Sequence, residues 1–279
     1  MRREAVIAVT GASRGIGATI ALELARRGFT VACLTRNGTG PEVAIPSELS
    51  ARFVNARCDV TDEASIKQAL AEIAAKAGAI HGLVNNAGIH LDGPSDKLPL
   101  DIYNQVMATN ATAVFAACRE VFPHLTKAGG GIIINIGSFF DKVGVKRNVA
   151  YCASKAAVGA ITRCLAVEWA PKNIQVLDVA PGYIETDLNR DAFKGPLREF
   201  LARRIPGGKH GTPEDIAKLV AEKKIVPPAL TIVGDVVTLR EKLNWFENLP
   251  LFGKRIVSGG GEAIGALAGE NAATPVHGQ

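Results

Sequence analysis

The chain has 279 residues, 47% of them hydrophobic and 21% charged, which suits one large α/β domain with a substantial core. No run of about 18 apolar residues occurs and the apolar run near the start is too short for a signal peptide, so no membrane association is expected and the cytoplasm is the expected location. The net charge of +5 could draw anionic substrates, but no basic run is interleaved with aromatics, so nucleic-acid binding is not expected. The five cysteines are odd in number and lack metal-ligand spacing, so neither a metal site nor a disulfide framework is expected. Cys33 and Cys164 are expected to pack as small apolar residues.

Residues 5–9 form an apolar run with β-branched members, followed by Thr10-Gly11-Ala12-Ser13-Arg14-Gly15-Ile16-Gly17 and a helical pattern over 18–27. Strand, glycine turn and helix in that order are the context of a nucleotide-binding turn. Gly11 permits the tight turn, Gly15 lets the backbone approach a pyrophosphate, and Gly17 lets helix and strand pack closely. The helix N-terminus would then meet the phosphates with its unpaired N–H groups. The spacing is G-x-x-x-G-x-G, and an ordinary glycine-rich βα turn is the alternative reading. A second strand over 30–34 leads to Thr35-Arg36-Asn37. An acidic residue there would bind a ribose 2′-hydroxyl; Arg36, with Arg14 in the glycine turn, suits a 2′-phosphate and so NADP rather than NAD. The alternative for Arg36 is a solvated loop charge.

Strand and helix patterns alternate to about residue 180, which predicts a doubly wound parallel sheet, Rossmann-like, in a single domain. Gly11, Arg36, Asp59, Asn86, Ser138 and Pro181 each end or follow a candidate strand, where ligands of such sheets bind. Tyr151 and Lys155 are four residues apart; on a helix they share one face, and an ammonium beside a phenol would lower its pKa toward working pH. That makes a proton donor suited to a ketone or an alcohol. Residues 188–211, rich in Gly and Pro and carrying Lys194, Arg198, Arg203 and Arg204, read as a lid over the substrate or as a plain surface connection.

The chain resembles the short-chain dehydrogenase/reductase family from its start to about Leu219. The resemblance is carried by Thr10–Gly17, Asp59-Val60, Asn85-Asn86-Ala87-Gly88, Asn110, Ser138, Tyr151-x-x-x-Lys155 and Pro181-Gly182, in that order. It implies that Asp59 and Val60 contact the adenine and that Asn86, Ala87 and Gly88 pass under the cofactor ribose. It implies that Pro181, Gly182, Ile184 and Thr186 lie along the nicotinamide. Ser138 would hydrogen-bond the substrate oxygen and Tyr151 would pass the proton. Lys155 would bind the nicotinamide ribose and depress the tyrosine, and Asn110 would hold a water linking Lys155 to solvent. Ser138 as a strand-end cap and Asn110 as a helix-kink residue remain open, and Asn85 reads as a tie between strands. The reaction implied is transfer of the pro-S hydride of NADPH to a carbonyl carbon, most like 3-oxoacyl-thioester reduction, with acyl carrier protein as a possible partner. A sugar or polyol dehydrogenase and a non-catalytic nucleotide-binding scaffold are the alternatives.

From about residue 221 the pattern departs. Two prolines at 227–228 interrupt, 229–233 reads as a strand and 235–246 as an amphipathic helix capped by Asp235. This stretch, to about 256, is similar to the tail of uroporphyrinogen-III C-methyltransferases; methyl transfer is not carried over, since no S-adenosylmethionine site accompanies it. Residues 256–261 resemble the reductase family's closing strand, and 262–279 read as a loose tail. The expected organisation is therefore 1–220 as the cofactor-binding domain, with 221–261 as an atypical insert and closing strand. A homo-oligomer, dimer or tetramer, is expected unless that segment disrupts it.

Overall fold

Val6–Thr10 (β1) is buried along its whole length, and a strand so buried needs neighbours on both edges and helices on both faces. The computed structural model describes residues 5–186, 199, 201, 203, 205, 208–221 and 230–233, all within the compact unit Met1–Arg240. Further strands are Thr30–Thr35 (β2), Phe53–Arg57 (β3), Gly82–Asn85 (β4), Gly131–Ile136 (β5), Ile174–Pro181 (β6) and Leu230–Val233 (β7). They form one parallel sheet in the order β3-β2-β1-β4-β5-β6-β7. The winding reverses between β1 and β4, and the crevice at that switch point is where ligands of such sheets bind. The expected doubly wound, Rossmann-like sheet is present.

The helices are Gly15–Arg26 (α1), Glu63–Ala77 (α2), Leu100–Met107 (α3), Ala113–Lys127 (α4), Val149–Trp169 (α5) and Pro213–Ala221 (α6). One core lies between the sheet and α2, α4 and α5, filled by Ile66, Leu70, Val121, Leu125, Ile133 and Val158 among others. The second lies on the opposite face under α1 and α6, with Ile20, Leu24, Val31, Ile134, Val179 and Ile216. Local signals agree with these elements: Asp62 caps α2 by accepting from Ala64 N at 3.0 Å, and Gly78 ends it at φ 83°. Between β4 and β5 the side chains of Asn85 and Asn135 join at 2.9 Å, and Asn135 donates to Thr162 of α5 at 2.9 Å. Asn85 is thus the strand tie that the sequence suggests.

One expectation is corrected here. Cys164 is exposed rather than packed, because it faces outward on α5, while Cys33 is buried as expected. The strand expected at 229–233 is present as β7, in register with β6 from Asp178 with Leu230 to Pro181 with Val233. The expected helix at 235–246, the strand at 256–261 and the tail lie outside the described residues, as does most of the proposed lid. No helix among the described residues is long and apolar enough to cross a membrane.

Candidate active site

The glycine turn is built by contacts that exclude side chains. Gly11 has φ 64°, and a Cβ there would meet Ala87 Cα at 2.9 Å; a Cβ on Gly17 would overlap both the Gly11 carbonyl and Asn86 Nδ2. The Asn86 side chain donates to the carbonyls of Thr10 at 3.1 Å and Gly11 at 3.2 Å. The backbone N–H groups of Asn86 and Ala87 donate to Thr10 Oγ1 at 3.0 and 3.1 Å. The ends of β1 and β4 are thereby fastened into one cradle, and Asn86 has its amide committed to that task. Helix α1 begins at Arg14 with no side-chain cap and no acidic residue in its first turn, so its N-terminal N–H groups suit an anion. These features fit a dinucleotide pyrophosphate. Ile16 packs on the second core from this turn, and the Ser13 carbonyl accepts from Glu42 N at 2.7 Å.

Arg14 and Arg36 are both exposed at this end of the sheet. Asp59 is also exposed, and hydrogen bonds from Thr61 hold its carboxyl below the usual range, with Arg36 and Arg57 adding to the effect. Val60 packs on the first core.

At the other end of the crevice, Ser138 is buried after β5 and caps the turn Phe139–Asp141, accepting from Phe140 N at 3.3 Å. Its cap role and its place beside the phenol coexist. Tyr151 sits in the first turn of α5, half-buried, edge-on to His90 at 4.7 Å and to Phe140 at 5.8 Å. Burial raises its pKa above the usual value, opposed by a hydrogen bond with Ser138. Lys155 lies on the same helix face, its Nζ 5.7 Å from the Tyr151 ring centroid and donating to the Ile136 carbonyl at 2.7 Å. Burial pushes the Lys155 ammonium down to about 8, and Asp178 opposes that fall. The shared face is as expected, but the phenol is raised rather than lowered, because burial outweighs the hydrogen bond with Ser138.

Asn110 falls in a π-helical turn, Ala108–Thr112, between α3 and α4. Its Oδ1 accepts from Ile89 N at 2.8 Å, and its Nδ2 donates to Ile89 O at 2.8 Å and Ser154 Oγ at 3.2 Å. Asn110 thus ties the loop after β4, including Gly88, to α5. Pro181 ends β6, and Gly182 leads to Ile184, which is buried and bridges to Gly211, with Thr186 half-buried beyond. Phe139, Phe140 and Tyr183 form an aromatic group, with centroids 4.7 to 6.1 Å apart, next to Tyr151. That group, the His90–Asn148 hydrogen bond beside Tyr151 and the buried Asp178 escaped the sequence reading. For Asp178 the signal was there: an acid inside the apolar run Val176–Ala180. No group of three or more His, Cys, Asp or Glu among the described residues could hold a metal.

A phosphate cradle and a Ser–Tyr–Lys group on one crevice define a nicotinamide-dependent oxidoreductase acting on alcohol or keto groups. The short chain dehydrogenase pattern matches residues 5–196, and the chain belongs to that family. It is 36% identical over 215 residues to the D-threitol dehydrogenase of Mycolicibacterium smegmatis, covering 76% of this chain and 82% of the relative. It is 38% identical over 229 residues to the 3-oxoacyl-acyl-carrier-protein reductase FabG of Vibrio harveyi, covering 82% and 93%. The crystal structure of the 3-ketoacyl-(acyl-carrier-protein) reductase of Brucella melitensis, complexed with NADH, superposes with a TM-score of 0.75 at 26% identity, covering 83% of this chain and 97% of that one.

Proposed function

We propose that the protein reduces the keto group of a 3-oxoacyl thioester to a secondary alcohol, with NADP(H) preferred over NAD(H). The observation that carries the substrate class is the apolar wall of Phe139, Phe140 and Tyr183 beside Tyr151, which suits an acyl chain better than a polyhydroxylated one. Likeness to the Vibrio harveyi reductase supports the same reading. Bound nicotinamide supplies the hydride for the carbonyl carbon. Gly11, Ser13, Gly15, Gly17 and the start of α1 hold its pyrophosphate. Asp59 and Val60 flank the adenine, and Ala87, Gly88, Pro181, Gly182, Ile184 and Thr186 line the rest of the cofactor. Ser138 holds the substrate oxygen, Tyr151 gives it the proton, and Lys155 would bind the nicotinamide ribose and stabilise the phenolate left behind. Asn110 positions the loop and helix between which Lys155 exchanges protons with solvent.

Exposed Arg14 and Arg36 support the 2′-phosphate preference, although Asp59 shares the field of Arg36. Five free cysteines suit a reducing compartment, which supports a cytoplasmic location. Acyl carrier protein as donor and a homo-oligomeric state belong to the same proposal, as does the division at about residue 220.

The D-threitol dehydrogenase likeness, with His90 and Asn148 offering polar groups beside Tyr151, favours polyol oxidation as the second reading. A panel of acetoacetyl-CoA, ethyl acetoacetate and four-carbon polyols, run with both nicotinamide cofactors, separates them. The expected result is NADPH oxidation with acetoacetyl-CoA; turnover confined to polyols overturns the substrate class. Arg36→Asp should raise the KM for NADPH by roughly tenfold and change that for NADH less.

A further inference from the structure

Among the described residues, both carboxylate oxygens of buried Asp178 lack a hydrogen-bond partner, and buried Asp141 Oδ2 has only its ion pair with Lys142. An orphaned carboxylate in a core is costly and calls for a physical reason. Asp178 is 3% exposed, on β6, with neutral Asn135 and Leu230 as its register partners on the two neighbouring strands. Its carboxylate lies against Gly137, where any Cβ would overlap it. The adjoining Ile136 carbonyl receives the Lys155 ammonium at 2.7 Å. Lysine and aspartate therefore meet at one peptide, both out of water. On α5, Gly159 faces the same place: a Cβ there would lie 3.7 Å from Asp178 Oδ2, 3.4 Å from Asp141 Oδ2 and 3.3 Å from the Arg163 guanidinium. Lys142 pairs with Asp141 at 2.9 Å on the outer side. The charged groups around Asp178 are thus Lys155 and Arg163 from α5 and Asp141 and Lys142 from the turn after β5, with Tyr151 one helical turn from Lys155.

We propose that Asp178 is a positioning residue for Lys155: its buried carboxylate, sharing the Ile136–Gly137 peptide with the Lys155 ammonium, keeps that lysine charged in the core and so sets the pH range in which it serves Tyr151. The role rests on Tyr151 and Lys155 being the proton-transfer pair, and it is indifferent to which carbonyl compound is the substrate. Removing the carboxylate charge lets Lys155 lose its proton at lower pH, because a nearby negative charge favours the charged ammonium. Burial keeps Asp178 protonated to higher pH, and the like charge of Asp141 adds to that.

The test reads Lys155 directly in the full-length, unliganded chain, by NMR titration of isotope-labelled lysine Cε, with the signal assigned by its loss in Lys155→Met. In Asp178→Asn the Lys155 midpoint is expected to fall by about one pH unit. An unchanged or raised midpoint overturns the proposal. Should Asp178→Asn not fold, the reciprocal measurement decides, since coupling between two sites is mutual. The carboxyl carbon of Asp178 titrates at higher pH in Lys155→Met than in wild type if the two are coupled, and at the same pH if they are not. With acetoacetyl-CoA and NADPH, the alkaline limb of kcat/KM should move to lower pH in Asp178→Asn; a limb that stays in place overturns the role. Absence of wild-type turnover on that probe counts against the thioester assignment, while the two titrations still decide the role of Asp178.

Discussion

Burial pushes the Asp178 carboxyl up from 3.8 to about 6, with Lys155 opposing the rise and Asp141 adding to it. A carboxyl raised in the folded state contributes stability that is fully present below the unfolded value and lost as pH rises through about 6. Lys155 is shifted the other way, from 10.5 to about 8, so its contribution is present above 10.5 and lost as pH falls through about 8. Between those two values both groups work against the fold, as expected where stability yields to function. Replacing Asp178 by Asn removes the carboxyl's part. The stability of wild type relative to Asp178→Asn should therefore decline by about 2 kcal/mol between about pH 4 and pH 6. Denaturant unfolding of both proteins across that range checks it, and a difference that does not vary with pH contradicts it.

The β1–α1 turn is the element on which cofactor binding depends, and it tolerates no added carbon. Gly17→Ala drives a methyl into the Gly11 carbonyl and the Asn86 amide, the two groups that lock β1 to β4. We expect NADPH affinity to weaken by roughly tenfold, about 1.4 kcal/mol, together with a lower Tm. Unchanged binding by fluorescence titration would show that the turn does not carry the cofactor. This element was legible in the sequence because glycine spacing reports backbone geometry, a local property. Tyr151 and Lys155 were legible for the same reason, since helical spacing fixes a shared face. What escaped depends on partners far along the chain. The raised Tyr151 phenol follows from burial, the commitment of Asn110 follows from Ile89 and Ser154, and the isolation of Asp178 follows from where β5, β6 and α5 meet.

Across the molecule, the parallel sheet sets the carboxyl ends of its strands along one edge, where the winding reverses between β1 and β4. The cradle at β1 and β4, the exposed arginines after β1 and β2, Ser138 after β5 and Pro181 at the end of β6 all converge there. A sheet with helices on both faces makes such convergence possible, because its loops are free at the carboxyl edge while both cores stay closed. Membership of the short-chain dehydrogenase family follows from the whole arrangement and from the match over residues 5–196. Most directly at stake is the claim that Tyr151 passes the proton in a nicotinamide-dependent carbonyl reduction. Replacing it by Phe removes one hydroxyl and leaves the cradle untouched. For Tyr151→Phe, measured against wild type with acetoacetyl-CoA and NADPH, the expected result is a loss of kcat of at least about a hundredfold with unchanged NADPH affinity. A variant that keeps near-normal kcat contradicts the account.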